Sequence, residues 1–234
     1  MNQISFPLLN LKLNISPIAF KVFGLEVYWY AIIIVVAIII ALLLCKKREG
    51  LYGIKFETIL DIAIILIPVS IISARLYYII FNLGYYIENP DQILNIRSGG
   101  LAIYGGIIGG IITILVMAKR KNINFLDMLD FLAPALAAGQ SIGRWGNFVN
   151  VEAYGAETNF PWRMGIFEAG KYIEVHPTFF YESICTFLIF IILINLEKRR
   201  RFKGQITATY LILYGIARAI IEFFRVDSLM LRRL

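Results

Sequence analysis

The sequence predicts an all-α polytopic membrane protein with a small loop or hairpin elaboration on its extracytoplasmic side. Three observations carry that prediction. Of the 234 residues, 59% are hydrophobic, above the roughly 45–50% apolar content of soluble domains. The surplus is gathered into Ile-, Leu- and Phe-rich runs, and a run of about 20 apolar residues is what a helix needs to cross the hydrocarbon core. Between the runs stand short, dense clusters of Lys and Arg, the mark of cytoplasmic connections.

Six spans are expected, at 27–45, 58–81, 99–117, 125–140, 177–196 and 205–224. The fourth is the most interrupted, by Asp127, Asp130, Pro134 and Gln140. The basic clusters are Lys46-Lys47-Arg48 with Lys55, Lys119-Arg120-Lys121, and Lys198-Arg199-Arg200-Arg201 with Lys203. They follow the first, third and fifth spans, so the positive-inside rule puts all three in the cytoplasm and the N-terminus outside. The stretches 82–97 and 141–176 are then extracytoplasmic. Within the second, residues 162–167 and 172–175 flank Glu168-Ala169-Gly170 as a hairpin would. No internal repeat or linker divides the chain, so 1–234 reads as one integral membrane domain, with 141–176 as its outer signature and head loop.

Other features narrow the class. The net charge of +7 is explained by the cytoplasmic clusters, so a nucleic-acid partner is not expected. Cys45 and Cys185 sit in apolar runs without metal or redox spacing, and no metal site is indicated. Residues 1–20 hold Pro7, Asn10, Asn14 and Pro17. They lack the basic and then unbroken apolar order of a cleaved signal peptide.

The chemistry-bearing residues gather at the outer level. Gly143-Arg144-Trp145-Gly146-Asn147-Phe148-Val149-Asn150-Val151-Glu152 places an arginine, two asparagines and a glutamate at a membrane boundary, where each needs a partner. Arg144 has the forked donors that hold a phosphate; Asn147, Asn150 and Glu152 could orient a neighbouring glycerol or steady Arg144. An outer loop whose Arg and Glu simply pair explains the same residues. In the last span, Arg218 and Glu222 share a helix face, with Arg225 one turn further on. They read either as a structural ion-pair ladder or as a cation at the depth of lipid phosphates.

Gly99 and Gly100 open the third span and allow a bent approach to it, with Tyr104 following. Gly105/Gly109 and Gly106/Gly110 carry the small-xxx-small spacing of close helix packing. His176, the single histidine, is a candidate general base or a hydrogen-bonding residue at a helix start. Arg75 and Tyr30 complete the outer set, with Tyr28, Trp29 and Tyr30 also readable as interfacial aromatics.

The run from Gly143 to Asn150, followed by Glu152 and Gly155, resembles the signature of bacterial prolipoprotein diacylglyceryl transferases. The resemblance extends in family order through Trp29-Tyr30, Ala74-Arg75-Leu76, Gly99-Gly100-Leu101 to Gly105-Gly106, His176-Pro177, and Tyr214-Gly215 with Arg218, Glu222 and Arg225. It implies an enzyme of the bacterial cytoplasmic membrane that moves the diacylglyceryl group of phosphatidylglycerol to the lipobox cysteine of a prelipoprotein signal peptide. A thioether forms and glycerol phosphate leaves. The nucleophile belongs to the substrate and attack falls on carbon, so no cofactor is implied.

By the same resemblance Arg144 and Arg218 meet the phosphate, while Asn147, Glu152 and Gly155 shape the site. Many relatives carry His where this chain has Tyr104. The ordinary tyrosine pKa near 10 leaves the thiol's proton acceptor open between Tyr104, His176, the substrate phosphate and water. The family usually has seven spans against the six counted here. The rival classes are a small transporter, which also uses intramembrane charge, and a membrane scaffold.

Overall fold

The computed structural model describes residues 1–96 and 99–225; Arg97 and Ser98, within the expected outer loop and glycine run, lie outside the described residues. The chain is mostly helical and divides into two compact units, Met1–Leu44 with Leu132–Leu234, and Cys45–Phe131.

The first unit begins with strands where the sequence suggested none. Strands β1 (Asn2–Phe6) and β2 (Leu11–Ile15) form a hairpin, and β3 (Ile18–Val22) and β4 (Leu25–Tyr28) form another that leads straight into α1 (Trp29–Lys47). Helix α5 (Phe125–Asn150) is followed by β5 (Met164–Glu168), β6 (Lys171–Val175), α6 (Thr178–Glu197) and α7 (Gln205–Glu222). The expected 162–175 hairpin is present as β5–β6, turning at Ala169 and Gly170. Its partner is β1, with Ile4 opposite Ile166, so the sheet runs β2-β1-β5-β6, antiparallel throughout. The all-α expectation is corrected by this sheet.

Alternation explains why the sheet holds. Ile4, Met164, Ile166, Ile173 and Val175 point to one face and are buried with Phe179 of α6, and Phe148 of α5 packs against them. Full burial of one such side chain contributes about 1.5–3 kcal/mol, so the sheet clamps the adjacent ends of α5 and α6. Deeper in this unit the helices meet through stripes at i, i+4 spacing: Ala133 and Ala137, Ile189 and Leu193, Ile206 and Tyr210. Ser141 Oγ donates to the Ser183 carbonyl at 2.9 Å and Ser183 Oγ to the Ser141 carbonyl at 2.8 Å. These reciprocal bonds satisfy two buried hydroxyls and staple α5 to α6.

The second unit is built on α2 (Phe56–Ile80) and α4 (Ile103–Arg120), with the short α3 (Leu83–Glu88) between them. A Cβ at Gly105 would stand 2.5 Å from Tyr77 Cβ, and one at Gly109 would overlap the Ser73 side chain. The small-residue packing is therefore real at Gly105 and Gly109, while Gly106 and Gly110 leave ordinary contact distances.

Among the described residues α1, α2, α4 and α6 are long and apolar enough to cross a membrane. Helix α5 differs from expectation in extent. Instead of ending at Gln140 it continues to Asn150, so the first ten residues of the expected outer loop are helical. Arg144, Asn147 and Asn150, three apart, consequently lie on one side of a helix.

Candidate active site

The centre of the first unit's polar cluster is Glu182, a residue that sequence reasoning alone did not single out. It stands on α6 with its side chain 4% exposed. A carboxylate so placed needs cations and hydrogen bonds to stay ionised, and three arginines supply them. Arg144, from α5, pairs with Glu182 Oε2. Arg218 Nη1, from α7, donates to Glu182 Oε1 at 2.6 Å, and its Nη2 meets Glu222 Oε2 at 2.5 Å, one turn along the same helix. Arg225 Nη1 lies 3.5 Å from Glu182 Oε1. Three guanidinium and two carboxylate groups thus meet here among the described residues.

The signature around Arg144 is organised by the end of α5. The Glu152 amide donates to the Asn147 carbonyl at 2.9 Å, and Asn150 Nδ2 donates to Glu152 Oε1 at 3.1 Å. Asn150 Oδ1 is buried without a hydrogen-bond partner among the described residues. Such an acceptor is expensive to leave unmet. Gly146 gives Tyr30 its position, because a Cβ there would come within 2.5 Å of the Tyr30 ring. Gly155 is a space-keeper too. Its amide donates to the His176 carbonyl, the Ala156 amide donates to the Phe224 carbonyl at 2.7 Å, and a Cβ on Gly155 would overlap Phe224 and His176. These bonds and the isolated bridge between Gly155 and Arg225 tie the residues after α7 to those that precede α6.

His176 is buried against the rings of Phe160, Tyr181 and Phe224. Trp162 Nε1 donates to Tyr181 Oη at 2.7 Å, and Tyr181 Oη is hydrogen-bonded in turn to His176 Nδ1, 3.1 Å away. Burial also pushes the imidazole pKa below its ordinary value.

A family-wide sequence profile described as prolipoprotein diacylglyceryl transferase matches residues 17–234. The chain belongs to this family. It is 49% identical to the phosphatidylglycerol–prolipoprotein diacylglyceryl transferase of Finegoldia magna over 213 residues, covering 91% of this chain and 84% of that protein. The protein of the same name from Clostridioides difficile is 49% identical over 92% of this chain and 85% of its own length. That from Clostridium novyi is 46% identical over 92% and 86%.

Of the residues singled out for this family, the structure brings Arg144, Arg218, Glu222 and Arg225 together on Glu182. It sets Tyr30, Asn147, Asn150, Glu152, Gly155 and His176 along the same unit's α1, α5 and α6 ends. Arg75, Gly99, Gly100 and Tyr104 belong to the second unit. Tyr104 stands in the first turn of α4, 61% exposed, its ring 6.5 Å from that of Tyr77. The signal for Glu182 was present in the sequence: apart from Glu197 at the last position, it is the one charge in a 20-residue helix. What the sequence could not supply was its partners, which come from two other helices.

Proposed function

We propose that the chain transfers the diacylglyceryl group of phosphatidylglycerol to the lipobox cysteine thiol of a prelipoprotein, the first step of bacterial lipoprotein maturation. The observation that supports this reading is the three-arginine cluster on buried Glu182. Its guanidinium groups offer the charge and forked donors that suit an anionic phosphodiester headgroup. The substrate sulfur forms a bond to the glyceryl carbon, and the C–O bond to phosphate breaks with its electron pair leaving on oxygen. Glycerol phosphate departs, and the thiol proton passes to a base or to the phosphate. Arg144 and Arg218 would stabilise the growing charge on the leaving oxygen by fixed donors that need no rearrangement. Asn147, Asn150 and Glu152 would hold the glycerol hydroxyls, with Asn150 Oδ1 as the acceptor awaiting one.

Six spans, α5 and α7 included, would put the N-terminus and the signature at the outer face of the cytoplasmic membrane. The basic clusters support that orientation. Comparing Tyr104→Phe with His176→Gln across pH tests which side chain, if either, takes the thiol proton. The direct test is reconstitution with phosphatidylglycerol and a peptide bearing a lipobox cysteine. A thioether-linked diacylglyceryl peptide with stoichiometric glycerol phosphate is the expected result. Phosphatidylglycerol vesicles that yield no modified peptide while solutes cross the bilayer would establish the transporter reading instead.

A further inference from the structure

Arg75 carries a charge at the membrane level of a phospholipid-handling chain, which suggests a phosphate ligand. Its geometry says otherwise. The residue is 7% exposed, and each of its guanidinium nitrogens is turned onto main-chain carbonyls. Nε donates to Ile93 O at 3.0 Å, Nη1 to Gly99 O and Gly100 O at 2.9 Å each, and Nη2 to Gln92 O at 2.5 Å and Asn95 O at 3.1 Å. An arginine has five N–H donors, and five acceptors are in place. The Tyr86 ring covers the guanidinium at 5.2 Å. No donor remains for a substrate oxygen.

From this saturation we propose that Arg75 is a positioning residue, the template that gathers the backbone carbonyls of 92–95 and of Gly99 and Gly100, and not a phosphate ligand. Gly99 and Gly100 are fitted to that task. Both have positive φ, +92° and +76°, which is easy only for glycine and lets two successive carbonyls converge on one nitrogen. A Cβ on Gly100 would overlap Arg75 Nη1 itself. Two residues later the Ala102 amide donates to the Ala74 carbonyl at 3.1 Å, so the start of α4 is tied to the turn of α2 that bears Arg75. Tyr104 follows in the first turn. The guanidinium therefore sets where α4 begins and how Tyr104 is presented.

The test separates a template from a ligand. A lysine keeps the charge but offers three donors from one point, and it cannot reach five spread carbonyls. Arg75→Lys is expected to lower kcat at least tenfold and leave the KM for phosphatidylglycerol within about twofold. Amide hydrogen exchange across 92–104 should become at least tenfold faster. Gly100→Ala should reproduce both changes, and the double variant should be no worse than either single one, because both break the same contact. These readouts distinguish failure of the template from failure of the proposed activity, since exchange is measured without substrate. The proposal is overturned if Arg75→Lys keeps wild-type exchange and kcat while Arg75→Gln raises the KM tenfold or more. Multiplicative losses in the double variant would also overturn it.

Discussion

Arginines in the two units meet the membrane's cost of charge in opposite ways. Arg75 is enclosed by neutral carbonyls, and all of its donors are engaged. Arg144 and Arg218 are held by carboxylates at one or two nitrogens each, so among the described residues donors remain, and their side chains stay 27% and 31% exposed. The first arrangement is complete without a ligand. The second fixes guanidinium groups in space yet leaves them able to accept an anion. What distinguishes the two sets of arginines, among the described residues, is the count of donors left unused, not the presence of charge.

That contrast breaks most clearly at the cluster itself. Alanine at Arg144 or Arg218 should lower transfer by about 10²–10³-fold, the usual effect of removing a donor to a developing oxyanion. Membrane insertion and expression should persist, and a thioether assay on the purified variants checks the rate. Glu182→Gln sharpens the contrast by removing the shared anchor. Deleting one partner of a buried ion pair destabilises by about 3–5 kcal/mol, and displaced arginines should slow transfer by about 10²-fold. Thermal unfolding in detergent together with the same assay would show both changes.

His176 predicts a smaller effect. Because burial lowers its folded pKa, the unfolded chain binds the proton more readily. Its contribution is neutral to stability above about pH 6.5, and stability falls as pH drops through that unfolded value. His176→Gln should flatten the decline in Tm between about pH 7 and 5. Tyr104→Phe should lower transfer by about 10²-fold if the phenol takes the thiol proton, and His176→Gln by the same factor if the imidazole does.

The helices were legible because their signals are local. Expected spans 58–81 and 177–196 agree with Phe56–Ile80 and Thr178–Glu197 to within about two residues. Helix α5 exceeded its expected end because Arg144 and Asn147 resemble loop residues when read singly, while the partner of Arg144 on α6 and neighbours one turn away make helix the better solution. The sheet escaped notice because β1 is five residues long and completes its pairing with β5, more than 150 residues later. Nothing near Ile4 announces Ile166. Glu182 was missed for the same reason: a lone carboxylate in an apolar run gains meaning only when helix packing delivers Arg144, Arg218 and Arg225 to it. The glycines of the signature were legible as small but not as specific, since Gly146 is defined by the Tyr30 ring and Gly155 by Phe224 and His176.

The most direct measurement of the central claim is headgroup binding. Short-chain phosphatidylglycerol and phosphatidylcholine would be titrated calorimetrically into the purified wild-type chain and its Arg144→Ala, Arg218→Ala and Arg75→Lys variants. The account predicts that wild type prefers phosphatidylglycerol, that either alanine variant loses at least about tenfold in affinity, or about 1.4 kcal/mol, and that Arg75→Lys binds as wild type does. Unchanged affinity in both alanine variants would contradict it.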